Sequence, residues 1–104
     1  MLIRDWLRRK EIDGFAAALA EELGRRFPPK SEQRTDKGAR NQLAAIAETL
    51  YAQAATFRRE KRLGVYGKAK LGNTFRWRLQ ELGYSEALIH AITDGLVVRL
   101  SSGR

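Results

Sequence analysis

The chain has 104 residues, with 20 lysines and arginines against 12 aspartates and glutamates, and a formal net charge of +8. It has no cysteine, which excludes disulfides, thiolate nucleophiles and thiolate metal sites and suits a reducing compartment, so we expect a cytoplasmic protein. The longest apolar run, 15–20, is far shorter than the roughly 20 residues that a membrane span needs. The length fits one domain, residues 1–104, around one hydrophobic core.

The composition and the first third of the chain indicate helices. Leu and Ala together outnumber Val, Ile and Thr about two to one, which favours helix over strand. We expect a first helix from Leu2 to about Lys10, followed by Asp13 as the N-cap of a second helix. Gly24 and Pro28 would end that second helix before Phe27.

A polar loop and a long helix follow. Residues 28–38 contain no large apolar side chain, and we expect them to form a mobile surface loop. Apolar residues then recur at alternating steps of four and three, which predicts a long helix over about 39–62. These are Leu43, Ala47, Leu50, Ala54 and Phe57. Lys61 occupies the next position of this seam, so the helix continues beyond its apolar contacts.

Two further helices complete the predicted fold. Gly64 is expected to end the long helix, and Gly64, Gly67 and Gly72 make the next segment conformationally permissive. A helix beginning near residue 69 would carry a buried stripe, and the last helix, capped by Ser85, would carry another. The two stripes are Leu71, Phe75, Leu79 and Leu82, closed by Gly83, and Leu88, Ile92, Leu96 and Leu100. The sequence therefore predicts an all-α fold, a small bundle of about five helices.

The positive charge is concentrated in residues 58–78. This segment holds eight cations and a single carboxylate, Glu60, whereas the rest of the chain is close to neutral. The cations are Arg58, Arg59, Lys61, Arg62, Lys68, Lys70, Arg76 and Arg78. The helix macrodipole favours two or three cations in a last turn, but not eight. A concentrated patch favours binding to a polyanion, because neutralised phosphates release their counterions; a solvated basic face is the alternative.

Aromatic residues lie among these cations. Trp77 is two positions from Phe75, which at 100° per residue places the two side chains about 160° apart around a helix. A buried Phe75 therefore predicts an exposed Trp77. Tyr66, Lys70, Asn73 and Trp77 would form one outer stripe if the helix starts early enough. An exposed stripe of this kind offers stacking to bases beside charge for phosphates. The alternative is that the helix is buried on both faces, with Trp77 in the core.

The residues offer little support for catalysis. His90 is the one candidate base, and Asp94, four residues on, could orient it, but no nucleophile is placed beside them. The glycines at 64, 67 and 72 lack the spacing of a Walker loop, and no metal-ligand spacing is present. A helix-turn-helix centred on Gly64 would bury Glu60 and Lys70, which is costly. We therefore expect neither an enzyme nor a cofactor.

These observations favour non-catalytic binding of a nucleic acid, DNA or RNA, with weak sequence preference. The eight cations of residues 58–78 would contact phosphates, with Trp77 and Tyr66 as stacking platforms. One alternative is a protein-interaction module in which the basic surface meets an acidic partner and Trp77 anchors the contact. A third possibility is attachment to a membrane surface through Leu2, Trp6 and Arg8.

Overall fold

The protein is an all-α bundle. The computed structural model describes residues 2–102, with side chains from 3 to 101, so the predictions that involve Met1 and the Leu2 side chain lie outside it. The elements are α1 (Leu2–Arg26), the 3-10 helix η1 (Pro29–Gln33), α2 (Lys37–Lys61), α3 (Val65–Leu82) and α4 (Glu86–Ser102). No helix within this range has the length and apolar character to cross a membrane.

The four α-helices form a ring in the order α1, α3, α4, α2. Helices α1 and α3 run parallel, because Ile12 lies beside Gly67 and Gly24 lies beside Leu82. Helix α2 runs antiparallel to α1, with Glu11 bonded to Lys61 near one end of the pair. The apolar residues at the centre of this ring form one buried cluster, and α1 contributes the side of it that α3 covers.

The predicted break between two helices at residues 10–13 is wrong, and one continuous α1 replaces them. Asp13 is not an N-cap: its carboxylate accepts a hydrogen bond from Thr74 Oγ1 at 2.8 Å, on α3. Continuing the helix buries Ile12 and Ala16 against the core. That burial offsets the roughly 1 kcal/mol that Gly14 costs in a helix interior. Residues 2–102 therefore contain four α-helices and not the five expected.

The junction between α2 and α3 also differs from the prediction. Helix α2 ends in the left-handed residue Arg62 (φ 53°, ψ 52°), and Leu63 N–H donates to the Arg58 carbonyl as in a Schellman motif. Leu63 is buried and Gly64 becomes the N-cap of α3, which starts at Val65 and not near residue 69. The glycines inside α3 serve close packing, with Gly67 against Leu63, so they do not loosen the helix.

The segment 28–38 is more ordered than a mobile loop. It contains η1, and α2 already begins at Lys37 behind the N-cap Asp36. Glu32 accepts hydrogen bonds from the backbone N–H and hydroxyl of Ser85, which ties the segment to the start of α4. The sequence provided no apolar signal for this order, because polar contacts supply it.

The end of α3 and the start of α4 agree with the prediction from the sequence. Gly83 ends α3 in the left-handed region (φ 102°), and Ser85 Oγ accepts from the Leu88 N–H at 3.1 Å, as an N-cap does. The stripe residues of α3 and α4 are buried except Leu82, which is partly exposed and packs against Gly24 of α1. Gly24 therefore lies inside α1 and does not end it.

Helices α2 and α4 meet at a polar contact inside the core. The Tyr51 hydroxyl donates to the Ile92 carbonyl at 2.8 Å, and the ring lies against Gly95. A Cβ at Gly95 would fall only 2.7 Å from Cζ of Tyr51, well inside van der Waals contact. Gly95 is therefore the residue that lets the two helices approach while this hydrogen bond is made.

Replacing Gly95 by Ala should destabilise the fold by about 1–3 kcal/mol, because the overlap with Tyr51 outweighs the gain in helix propensity. Gly14→Ala is the matched control, since nothing lies within 4 Å of its Cβ position, and it should stabilise α1 by about 0.5–1 kcal/mol. Urea unfolding of both variants measures the difference. Equal shifts in the midpoint would contradict the packing described here.

Tyr84 fastens the end of α1 through its hydroxyl, which donates to the Phe27 carbonyl. Burial of the ring, with a smaller effect of the Glu32 carboxylate, raises the pKa of Tyr84 from 10.0 to about 12. The folded state thus holds this proton more tightly than the unfolded state. Its contribution to stability is complete below about pH 10 and is lost as the pH rises towards about 12.

Tyr84→Phe should cost about 1–3 kcal/mol at neutral pH, because the buried Phe27 carbonyl loses its donor. It should also lose less stability than the parent protein between about pH 10 and pH 12. Thermal unfolding followed by circular dichroism across that interval provides the comparison. Parallel pH curves for the two proteins would show that Tyr84 does not carry the effect.

Candidate nucleic-acid interface

The first half of α1 stands clear of the hydrophobic core. Every residue from 3 to 11 is exposed, and Ile12 is the first buried side chain of the helix among those described. The exposed half includes an apolar stripe of Ile3, Trp6 and Leu7, with Trp6 exposed to 52%. It also carries four cations, which are Arg4, Arg8, Arg9 and Lys10.

This half of α1 meets the end of α2 and the start of α3. Arg8 donates to the carbonyls of Lys61 and Arg62, which are left free where α2 ends. Lys61 Nζ lies 2.7 Å from Glu11 Oε2. On the other side, Arg8 and Arg9 share a depression with Tyr66 in the first turn of α3. Three chain segments are therefore brought together at one end of the bundle.

Most of the net charge of the protein lies at this end. We define the basic end as residues 3–13 and 58–70, which hold ten cations and four carboxylates. Six of the eight net positive charges of the chain belong to it. The sequence predicted only the half of this surface that follows residue 58, because nothing in the pattern shows which helix lies beside α3.

Three of the eight predicted cations are held by carboxylates, chiefly of α1. Lys61 pairs with Glu11, Lys70 Nζ lies 3.4 Å from Asp13 Oδ1, and Arg78 lies 3.2 Å from both Glu21 and Glu81. All these groups are partly exposed. Surface ion pairs of this kind contribute about 0–1 kcal/mol each, so a phosphate can replace the carboxylate at small cost.

The other five predicted cations form no ion pair with any residue that the structure describes. They are Arg58, Arg59, Arg62, Lys68 and Arg76. Arg59 and Arg62 are exposed at the end of α2, and Arg58 is half-buried. Lys68 lies nine positions from Trp77, about 180° around α3, so it faces away from that ring. The eight cations are therefore not one continuous patch.

The outer stripe of α3 forms as the sequence suggested. Because α3 starts at Val65, Tyr66 is helical and shares a face with Lys70, Asn73 and Trp77. Tyr66 is exposed to 67% and Trp77 to 55%, so Trp77 is not a core residue. Arg76 lies 5.9 Å from the Trp77 ring centre and donates to Asn73 Oδ1 at 3.1 Å.

A shallow groove separates this stripe from α1, and we call it the α1–α3 groove. Lys10, Gly14 and Ala17 line it from α1, and Lys70 and Trp77 line it from α3. Lys10 Nζ also lies 5.4 Å from the centre of the Trp6 ring, so Trp6 lies beside the groove without lining it. Of the two exposed indoles, Trp77 is the one inside the groove.

Sequence reasoning missed the contribution of α1 to this surface. Trp6, Arg9 and Lys10 were visible as an amphipathic segment, but the expected break at Asp13 made them part of a short separate helix docked on the core. The continuous helix instead carries them to the basic end. The signal that could have located them is the absence of any helix-breaking residue between Trp6 and Ile12, since residues 7–11 all favour helix.

Groups suited to catalysis or metal binding are sparse. His90 Nε2 lies 3.1 Å from Asp94 Oδ2, and both side chains are largely exposed on α4, remote from the basic end. Within residues 2–102 no three His, Cys, Asp or Glu side chains gather where they could hold a metal ion.

Comparison of the chain with protein-family models, with curated proteins and with solved structures finds no match.

Arg62 allows stability and charge to be tested separately. Glycine tolerates its left-handed conformation better, so Arg62→Gly should raise the free energy of unfolding by about 0.5–1 kcal/mol. Arg59→Gly is the matched control: it removes the same charge from a regular helical position and should lower that free energy by about 1 kcal/mol. Urea unfolding gives both values, and destabilisation by both variants would contradict the assigned conformation of Arg62.

Proposed function

We propose that the protein binds nucleic acid without catalysing a reaction on it, and that the basic end is the surface that attracts the phosphates. The observation that supports this most strongly is the gathering of six of eight net charges at one end, beside exposed Trp6 and Tyr66. Concentrated charge gives affinity for a polyanion through counterion release, and exposed rings offer stacking to bases.

The electrostatic environment of the basic end supports the same proposal. Nε and Nη2 of Arg58 are buried and have no hydrogen-bond acceptor among the described residues. Their charge is uncompensated locally and adds to the positive potential around the neighbouring, exposed Arg59 and Arg62. An approaching phosphate chain would find unpaired cations first and could then displace Glu11 from Lys61.

Sequence preference should be weak on this account. The basic end presents long, solvated side chains, so we expect contacts to phosphates to dominate over contacts to base edges. The absence of cysteine is compatible with the reducing cytoplasm, where we propose that binding takes place.

An acidic protein is the second candidate partner, and one observation favours it. Ile3, Trp6 and Leu7 form an exposed apolar stripe directly beside cations, an arrangement that also suits a protein hot spot. Such a partner would bury all three side chains of this stripe, whereas a polynucleotide would use only the Trp6 ring, for stacking.

The proposal predicts a steep salt dependence that originates at the basic end. If about five phosphates are neutralised, the logarithm of the association constant for a single strand should fall with the logarithm of the salt concentration, at a slope of about −3.5. Replacing four exposed cations of the basic end by Ala should reduce that slope by up to about 2.8. The four are Arg4, Arg9, Arg59 and Arg62.

The matched control removes four exposed cations from the opposite end of the bundle. These are Arg25, Lys30, Lys37 and Arg40. Fluorescence anisotropy of a labelled oligothymidylate over a salt series gives the slope for each protein. The control should stay close to the parent slope. Equal slopes for both quadruple variants would remove the basic end from the account, and no binding at low salt would favour the acidic protein partner.

A further inference from the structure

The face shared by α1 and α3 repeats one pattern on two parallel helices. On α3, Tyr66, Lys70, Asn73 and Trp77 are four, three and four residues apart. On α1, residues 6, 10, 13 and 17 have the same spacing and begin with an aromatic residue followed by a lysine. The contact between Lys70 and Asp13 joins the two rows. Each row therefore begins with an exposed aromatic ring followed by a lysine, and on α3 the row ends at Trp77 in the groove.

The α1–α3 groove is close to electrically neutral, unlike the basic end. Its lining includes three cations and two carboxylates, and its floor at Gly14 and Ala17 carries almost no side chain. Lys70 and Arg78, two of those cations, are already paired with carboxylates. Such a groove gives little attraction for phosphate but leaves open space beside the Trp77 ring.

The length of the groove fits a short run of nucleotides. The residues of α3 that line the groove run from Lys70 to Glu81, eleven positions along the helix, which corresponds to about 16 Å. At about 3.4 Å per stacked nucleotide, this distance holds about five nucleotides. A strand could therefore reach from the basic end to Trp77 without leaving the protein surface.

We infer that this groove selects single-stranded over duplex nucleic acid. The inference rests on the proposed function and names the form of the ligand. The phosphates of one part of the strand bind the basic end, while unpaired bases of the next part enter the groove and stack on Trp77. A duplex keeps its base faces stacked inside, so it gains only the phosphate contacts, and the near-neutral groove adds nothing to its affinity.

Two substitutions at Trp77 separate stacking from apolar contact. Trp77→Leu retains an apolar side chain without a π face, and Trp77→Phe retains a flat ring. Both should fold, because Trp77 is an exposed residue. Trp77→Leu should weaken binding of an oligothymidylate by about tenfold, as expected for loss of one stacked base, and Trp77→Phe by much less. Affinity for a duplex of equal length should change by less than about twofold in both variants.

A spectroscopic measurement accompanies the titrations. The chain has two tryptophans, so Trp6→Phe leaves Trp77 as the only indole. Its fluorescence should be quenched when single-stranded oligothymidylate binds and should change little with duplex.

The outcomes distinguish failure of single-strand selection from failure of nucleic-acid binding itself. Equal losses for single strand and duplex, or equal losses for the Leu and Phe variants, would overturn single-strand selection and leave binding at the basic end intact. If neither ligand binds the parent protein at low salt, the proposed function fails and this inference fails with it.

Discussion

The side-by-side packing of α1 on α3 is the constraint on which the rest of the structure depends. The two parallel helices approach closely because glycine faces a large apolar residue at both ends of the contact: Gly67 meets Ile12, and Gly24 meets Leu82. Between these points, Asp13 accepts from Thr74, which fixes the register. A helix held along its second half in this way carries its first half out of the core as a rigid extension. Trp6 and the cations of the first half of α1 therefore lie beside the first turn of α3.

The same packing determines how charge is distributed. Three carboxylates of α1 pair with cations of the 58–78 segment: Glu11 does so at the basic end, and Asp13 and Glu21 do so along the side of the bundle that α3 covers. That side is thus brought near neutrality, whereas the end of the bundle keeps its excess. A strongly basic segment in the sequence becomes two surfaces in the fold: a positive end, suited to phosphates, and a neutral groove beside Trp77, suited to bases. The inferred selection of single-stranded nucleic acid rests on this division.

Sequence patterns correctly predicted the features that depend only on contacts between residues of the same helix. The seam of α2, the left-handed Gly83 and the cap at Ser85 follow from periodicity or local chemistry, and all are present. The sequence left Trp77 open between the surface and the core, and the structure has it exposed. The predictions were wrong where a contact with a residue distant in the sequence determines the local structure. Asp13 has a side chain suited to an N-cap, but its carboxylate accepts a hydrogen bond from Thr74 instead. Helix α2 ends at the left-handed Arg62, whereas the sequence predicted that Gly64 would end it. The contribution of α1 to the candidate site was missed for the same reason, since only the packing against α3 reveals it.

We propose that one continuous surface, formed by the first half of α1 with α3, binds a polynucleotide. Backbone amide chemical-shift mapping with a short oligothymidylate, recorded at two salt concentrations, tests that claim most directly. Chemical-shift changes should be confined to residues 3–17 and 59–77, and those of the basic end should weaken most as the salt concentration rises. Shifts centred instead on residues 25–43 or 84–92, or an unchanged spectrum at low salt, would contradict it.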